Sequence, residues 1–410
     1  MKVSLRKFPY PYRAMLAICN DIDESSSGYF LEIHNYLNGE LGLEIGDSFW
    51  LYDEDERFSY FKGTTSEETE AAEIIRRFYN AGIIDCLHSF GNFSFKGGFH
   101  RDLAERAIRA LEGAGIKVDV WVNHGSSLNT QNITSGFGDL PGTKEYHTDI
   151  SMPYGIKFIW DGELTSFVGQ ERPFKLSEIY FTDEVRRTPF LLIKNLLKVI
   201  TKMILYGKIL LHENNQLSVP KKLRDGRIIY SFKRYGFWDK ATIDDLPMLV
   251  SSNTLEKLIK NEGFMILYIH LGKRKTKAPI SEEVKASWKR LKDFYEEGKI
   301  LVTTTSRMLK YSLCLKHLEY TVSSSGKETN IYIMRSKDPL RFSPLSPGEL
   351  QGITFYVNDP EKVKIFFDGM EIKNVVKNQP DYRGKPSIGF PWDKNDFVGE
   401  TMKKGGENGF

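Results

Sequence analysis

The stretch RAMLAICNDID at residues 13–23 joins an apolar run to a cluster of acids. After Arg13 the chain is continuously apolar as far as Cys19, which is typical of a strand covered on both faces in a parallel sheet. The run stops at a polar cluster that contains Asp21 and Asp23. We therefore expect both carboxylates at the carboxyl end of a buried strand.

The same plan recurs over roughly the first three quarters of the chain, where short apolar runs alternate with helical periodicity. This alternation indicates βα units around a mostly parallel sheet. One such helical face runs from Ala71 to Phe78, and Thr65 and Glu68 form a predicted capping box before it. Further strands are predicted at residues 83–87, 116–122 and 264–269, and they deliver His88, Asn123 with His124, and His270.

The texture of the sequence changes at about residue 318, where short alternating runs are separated by Asp-Pro, Ser-Pro and Asp-Gly turns. A last βα unit, with Ser281 as its predicted N-cap, precedes this change. The chain is therefore predicted to contain a (β/α) domain at residues 1–317 and a small β-sandwich-like domain at residues 318–410.

Composition excludes several classes of partner. The 57 basic and 54 acidic side chains leave a net charge of only +3, so no nucleic-acid partner is predicted. The basic run from Lys273 to Lys275 is interpreted as a solvated loop rather than a phosphate-binding patch. Cys19, Cys86 and Cys314 have no CxxC spacing, which predicts neither a disulfide framework nor a zinc ribbon and fits a reducing compartment.

No segment is predicted to cross a membrane. The N-terminus lacks an apolar core of signal-peptide length, so we expect a cytoplasmic protein. The longest apolar stretch, residues 189–211, is interrupted by Lys194, Lys198 and Lys202. This spacing of four places the lysines on one face of an amphipathic helix. The oligomeric state is left open.

The predicted strand ends share one edge of the sheet, where ligands bind in barrels and open sheets of βα units. Carboxylate and imidazole suit zinc or a similar divalent ion held by about three protein ligands. A second carboxylate can act as a base there, and a histidine can protonate a leaving group. The alternative is that the acids cap a turn and that each histidine is structural. The candidate residues are Asp21, Asp23, His88, His124 and His270.

Four segments resemble motifs of the polysaccharide deacetylase superfamily of carbohydrate esterases. That family has an Asp-Asp motif, a His-Ser/Thr-x-x-His motif, an Arg-Pro-Pro-type motif and a late Leu-His motif, in that order. The resemblance covers roughly residues 10 to 310, and the matching segments are CNDID at 19–23, HSFGN at 88–92, VNHG at 122–125 and YIHL at 268–271.

The resemblance implies a distorted seven-stranded (β/α) barrel and a metal-dependent hydrolase that removes an N- or O-acetyl (acyl) group from a sugar or glycan precursor. It implies Asp21 as base, Asp23 and His88 as metal ligands, and His270 as general acid. The implied metal is zinc, with cobalt, manganese and nickel as alternatives. Because the acids of the family are adjacent, the order of roles within Asp21 and Asp23 stays open.

The chain departs from the family pattern at the second histidine. Asn92 stands where the family has its second metal-binding histidine, and asparagine is a poor zinc ligand. His124 lies in the segment where the family usually keeps an arginine, and we expect it to be the third ligand instead.

Weaker candidates for substrate binding are His147, Arg234, Asn92 and Trp121. His147 lies in a loop region and fits either a substrate loop or a turn stabilised by hydrogen bonds. Arg234 could hold a carboxylate or a phosphate, and its alternative is a surface arginine. Trp121 could stack on a sugar, and its alternative is the core.

Two rival functions remain at the level of sequence. The incomplete motifs also fit a glycan-binding protein on a decayed deacetylase scaffold, which would bind sugar without turnover. A metal-dependent glycosidase on a related barrel is the other rival, and it would release reducing ends rather than acetate.

Overall fold

The protein is a mixed α/β structure with one large sheet and two small ones. The computed structural model describes residues 3–53, 58–93, 98–125, 129–173, 215–274, 280–325, 328–341 and 344–397. In chain order the strands are β1 (Ser4–Leu5), β2 (Ala14–Asn20), β3 (Gly46–Asp53), β4 (Ser59–Lys62), β5 (Ile84–Leu87), β6 (Gly91–Asn92), β7 (Val120–Val122), β8 (Phe158–Trp160), β9 (Leu164–Thr165), β10 (Ser218–Lys222), β11 (Ile228–Phe232), β12 (Arg234–Tyr235), β13 (Phe264–Ile269), β14 (Ile300–Thr303), β15 (Leu318–Ser325), β16 (Glu328–Ser336), β17 (Thr354–Tyr356), β18 (Val363–Phe367), β19 (Met370–Glu371), β20 (Val376–Asn378) and β21 (Ser387–Gly389).

Helices alternate with the strands of the large sheet. None of those within the described ranges combines the length and apolarity that a membrane crossing needs. The amphipathic helix predicted at residues 189–211 lies outside the described residues. The α-helices are α1 (Ser27–His34), α2 (Ala71–Asn80), α3 (Arg101–Gly113), α4 (Thr148–Tyr154), α5 (Leu246–Leu249), α6 (Ser252–Lys260), α7 (Glu282–Glu296) and α8 (Thr305–His317), with a π-helical turn at Asn35–Glu40 and 3-10 turns at Ile243–Asp245, Pro347–Leu350 and Pro360–Lys362.

Strand β2 is the centre of the large sheet. All of its residues are buried, which explains its continuous apolar sequence. It pairs in parallel with β13 along six residues, and with β14 and β3 at its two ends. The strand predicted at residues 264–269 is β13 and has the predicted bounds. Strand β7 is shorter than predicted, because the N–H groups of Ile116 and Val118 bind Leu111 and Tyr154 instead of a neighbouring strand.

The large sheet is a curled half-barrel rather than a clear seven-stranded barrel. Its continuous order runs β10-β11-β8-β7-β5-β3-β2-β13-β12-β9, with β14, β4 and β6 beside it. Only the pair β10 and β11 is antiparallel along this order. The α/β class is as expected, whereas the strand count is not. The two-residue strands β9 and β12 are too short to carry an apolar period of their own.

The starts of two helices test the predicted caps. Ser281 caps α7 as predicted, since its hydroxyl oxygen accepts the N–H of Val284 at 3.3 Å. The capping box at Thr65 and Glu68 was wrong, because α2 begins only at Ala71. The carboxylate of Glu68 binds Arg76 instead, at 2.9 Å and 3.0 Å.

Residues after 318 form two four-stranded sheets, as the change in sequence texture indicated. One of them also includes β1 from the N-terminus, which pairs with β17. Apolar side chains of both regions, among them Phe8, Leu309 and Phe355, lie in one cluster. The boundary between domains at residue 318 stays a prediction, and residues 398–410 lie outside the described residues.

Gly91 allows β6 to approach β3 closely. A Cβ atom at Gly91 would lie 2.0 Å from the carbonyl oxygen of Tyr52. We expect Gly91→Ala to lower the free energy of unfolding by about 1–3 kcal/mol, because the strands must separate. Gly113→Ala is the control, since a Cβ atom there would meet nothing within 4 Å beyond its chain neighbours and the backbone of its own helix. Equal urea midpoints for the two variants would contradict the prediction.

Candidate metal centre

Three side chains of metal-ligand type meet at the carboxyl edge of the large sheet. Asp23 follows β2, His88 follows β5 and His124 follows β7. One ligand atom from each lies within 4.8 Å of the other two. Nδ1 of His124 is 3.0 Å from Nε2 of His88 and 3.3 Å from Oδ1 of Asp23, and the latter two atoms are 3.5 Å apart. The structure thus brings together the three residues predicted as ligands.

This triad fits a divalent cation. Oδ1 of Asp23 is buried and has no hydrogen-bond partner among the described residues, although two imidazole nitrogens face it. A buried carboxylate oxygen without a partner is costly, and a cation between the three facing atoms would satisfy it. One carboxylate and two imidazoles are also a ligand set of the kind that catalytic zinc uses.

The electrostatics of the triad favour the protonation states that metal binding needs. Burial raises the pKa of Asp23, but the facing imidazoles of His124, His270 and His88 outweigh it and hold the pKa well below its ordinary value. Burial lowers the pKa of His88. An ionised carboxylate and a neutral imidazole are the forms that bind a metal ion.

His270 and Lys273 face the second carboxylate oxygen of Asp23. Nε2 of His270 is 3.0 Å from Oδ2 of Asp23, and Nδ1 lies 3.0 Å from the carbonyl oxygen of Ala241. An N–H at Nδ1 donates to that carbonyl, which directs Nε2 toward the site. Nζ of Lys273 is 3.5 Å from the same oxygen of Asp23, so Lys273 departs from its interpretation as a solvated residue.

Asp21 and Arg234 form a buried ion pair beside the triad. The two terminal nitrogens of Arg234 donate to the two oxygens of Asp21 at 2.7 Å and 3.0 Å. Burial raises the pKa of Asp21, but the charge of Arg234 outweighs it, so the pKa lies below its ordinary value. The guanidinium carbon lies 3.5 Å from the ring centre of Trp160 and 4.5 Å from that of Tyr268.

The structure corrects both interpretations of Arg234. Its side chain is fully buried, so it is not a surface arginine. Its terminal nitrogens are engaged by Asp21, so they are not available to a substrate carboxylate or phosphate.

A chain of buried polar groups lies behind the site, and the sequence analysis missed most of it. The side-chain amide of Asn20 donates to Asp47, whose second oxygen contacts Nε2 of His34. Oδ1 of Asn20 accepts the N–H of Leu271 at 2.6 Å, which ties the end of β2 to the loop that carries His270. An acid at position 47, just before the apolar run FWLY at residues 49–52, was the available signal.

Trp50 forms one wall of the triad and was also missed. Its ring stacks on His88 with ring centres 5.8 Å apart and meets the ring of His124 edge-on at 5.0 Å. Trp50 lies on β3, between the strands that deliver Asp23 and His88. Since most tryptophans in apolar strands belong to the core, its sequence context carried no signal of the site.

His147 and Trp121 are structural residues rather than substrate contacts. Nε2–H of His147 donates to the carbonyl of Gln131 at 2.8 Å, and Nδ1 accepts from Ser151 at 2.7 Å. Burial lowers the pKa of His147 to about 4. Trp121 is fully buried and donates to Asn123 at 2.8 Å. Both predictions of substrate binding are therefore corrected, because neither side chain reaches solvent.

Asn92 does lie at the site, in contact with a ligand. Its Oδ1 is 3.2 Å from Nε2 of His124, on the side of that ring away from Asp23. A role in binding substrate stays a prediction for this residue.

An exposed tryptophan lies near the site. Trp238 is 64% exposed. Its ring centre lies 5.7 Å from that of Trp160 and 5.6 Å from that of Tyr268. Tyr268 in turn meets the ring of His270 at 5.1 Å. An exposed indole is thus held two ring contacts from His270.

Comparisons with family models, with curated proteins and with solved structures returned no match for the chain.

The buried ion pair of Asp21 and Arg234 predicts that removing the arginine alone lowers stability more than removing both charges. Arg234→Met leaves the charge of Asp21 buried and unpaired, so we expect it to lower the free energy of unfolding by about 3–5 kcal/mol. The double variant Arg234→Met/Asp21→Asn removes that charge and should recover part of the loss. Urea unfolding of metal-free protein measures both. If the double variant is no more stable than Arg234→Met, the pair does not determine the stability of this region.

Proposed function

We propose that the protein is a divalent-metal-dependent hydrolase that removes an N- or O-acyl group from a sugar or glycan precursor. The observation that carries the proposal is the convergence of Asp23, His88 and His124 within 4.8 Å, beside the carboxylate of Asp21 and the imidazole of His270. A metal-ligand triad with an acid and a base at its edge is the arrangement that hydrolysis of an amide or ester needs.

The ligand set favours zinc, with cobalt, manganese and nickel as alternatives. A bound ion would acidify a water molecule and polarise the acyl carbonyl. The protein contributes the ligands and excludes bulk water, since His88 is buried and Trp50 covers its ring.

Asp21 and His270 divide the proton transfers. Asp21 stays ionised because Arg234 holds both of its oxygens, and it can take a proton from the attacking water as general base. His270 is oriented by Ala241 so that Nε2 faces the site, where it can give a proton to the leaving nitrogen or oxygen. Arg234 acts through Asp21 and is a positioning residue.

The geometry also supports a division of roles within the acidic pair, which the motifs left open. Asp23 faces the imidazoles of His88 and His124 through a buried oxygen, as a ligand would. Asp21 lies 3.8 Å from the nearest nitrogen of His88 and pairs with Arg234 instead.

The proposal of a sugar substrate rests on two points. The four motifs resemble those of polysaccharide deacetylases, and an exposed aromatic side chain, Trp238, lies near the site. Trp238 offers an exposed ring face, and Trp160 and Tyr268 hold it in place. Aromatic faces pack well on the apolar face of a pyranose ring because both surfaces are flat and apolar.

The proposal predicts that purified protein binds one zinc ion per chain and releases acetate from N-acetylated sugar oligomers. His88→Ala removes a ligand, so zinc affinity and acetate release should each fall by more than about 100-fold. His100→Ala is the matched control, because that histidine is half-exposed and contacts only Asp102 among the ion pairs of the described residues. Elemental analysis counts the bound zinc, competition with a chelator measures the zinc affinity, and acetate detection measures turnover.

Three outcomes would contradict the proposal. Equal zinc affinity in His88→Ala and wild type would contradict the proposed metal centre. Sugar binding that persists in a chelator without any turnover would select the decayed glycan-binding scaffold. Release of reducing ends in place of acetate would select a glycosidase.

Trp238 should affect binding of oligomers more than the chemistry. We expect Trp238→Ala to raise the KM for an N-acetylglucosamine oligomer by about 10-fold with little change in kcat, because stacking acts equally on ground and transition states. Trp238→Phe should retain part of the affinity. Met370→Ala, an exposed apolar residue of β19, is the control. An unchanged KM in Trp238→Ala would show that the sugar does not contact this ring.

A further inference from the structure

Asn92 occupies the place where the motif resemblance sets a second metal-binding histidine, yet its side chain points at a ligand. Its amide oxygen lies 3.2 Å from Nε2 of His124. The other ring nitrogen of His124, Nδ1, faces Nε2 of His88 at 3.0 Å and Oδ1 of Asp23 at 3.3 Å. The two nitrogens of His124 therefore have different partners.

The chemistry of those partners determines which nitrogen carries the proton. An amide oxygen only accepts hydrogen bonds, so Nε2 of His124 must be the donor to Asn92. A neutral imidazole with its proton on Nε2 has a free lone pair on Nδ1, and Nδ1 of His124 faces His88 and Asp23. The partner of one ring nitrogen thus sets the ligating atom at the other.

Further contacts hold the imidazole of His124 in this orientation. The ring of Trp50 meets it edge-on at 5.0 Å. Its backbone N–H donates to Asn132, and its carbonyl oxygen accepts from Asn129 at 2.9 Å and from Asn132 at 3.0 Å. The backbone of His124 is therefore held in place. A flip of its ring, which would exchange the two nitrogens, would break the contact with Asn92.

The backbone that carries Asn92 is equally constrained. Gly91 pairs with Tyr52 of β3 so closely that a Cβ atom would lie 2.0 Å from the Tyr52 carbonyl oxygen. The backbone position of Asn92 is therefore restricted by the pairing of β6 with β3.

We propose that Asn92 is a positioning residue that fixes His124 as an Nδ1 metal ligand by accepting a hydrogen bond from Nε2–H. The inference rests on the proposed metal centre but not on the acyl chemistry. It assigns different ligating atoms to the two histidines, Nδ1 in His124 and Nε2 in His88.

The test is nuclear magnetic resonance of full-length protein labelled with ¹⁵N at histidine and loaded with ¹¹³Cd²⁺ as the probe. We expect ¹¹³Cd–¹⁵N coupling at Nδ1 of His124 and at Nε2 of His88, with a slowly exchanging proton on Nε2 of His124. The buried His147 serves as the control and should show no coupling. Coupling at Nε2 of His124 would overturn this inference alone, whereas absence of any histidine coupling would also overturn the proposed metal centre.

Substitutions supply a second measurement that does not depend on activity. Asn92→Leu removes the acceptor, so zinc affinity should fall by about 10- to 100-fold. Asn92→Asp keeps an acceptor and adds charge, so it should bind zinc at least as tightly as wild type. Asn80→Leu, at the exposed end of α2, is the matched control. Wild-type zinc affinity in Asn92→Leu, or a loss in Asn92→Asp as large as in Asn92→Leu, would overturn the proposal.

Discussion

The ion pair between Asp21 and Arg234 is the interaction on which the rest of the site depends. Both side chains are almost fully buried, and desolvation of two charges is repaid only when the geometry is close to ideal. The pair meets that condition with two parallel hydrogen bonds, and Trp160 and Tyr268 contact the guanidinium. Because β12 and β2 both neighbour β13, the pair also joins strands two apart in the sheet.

This pair separates two carboxylates that lie one residue apart in sequence. Asp21 is committed to Arg234, so Asp23 is the carboxylate left to face the histidines. The buried amide of Asn20, immediately before Asp21, binds the loop that carries His270 by accepting the N–H of Leu271. The same loop carries Lys273 to Asp23, which explains why a residue of a basic run lies at an acidic site.

The location of the site could be predicted from sequence, because parallel strands bring their carboxyl ends to one edge and each strand here was visible as an apolar run. The ion pair inside the site, between Asp21 and Arg234, could not be predicted. Arg234 begins a strand of only two residues, which has no period to detect, and its partner lies 213 positions earlier in the chain. Trp121 was ambiguous because ring size suits a core and a sugar equally. The number of strands could not be predicted either, because short strands depend on tertiary pairing rather than on local pattern.

The order of strands explains how three side chains from separate loops meet in one triad. Strands β2, β3, β5 and β7 are consecutive in the sheet, so residues that follow β2, β5 and β7 can converge at one edge. Under the proposed metal centre, His124 needs a fixed ring orientation, because only its Nδ1 faces His88 and Asp23. Asn92 is placed to supply that orientation through the other nitrogen of His124. Asn92 would thus influence the proposed centre through the ring of His124 without binding the ion itself.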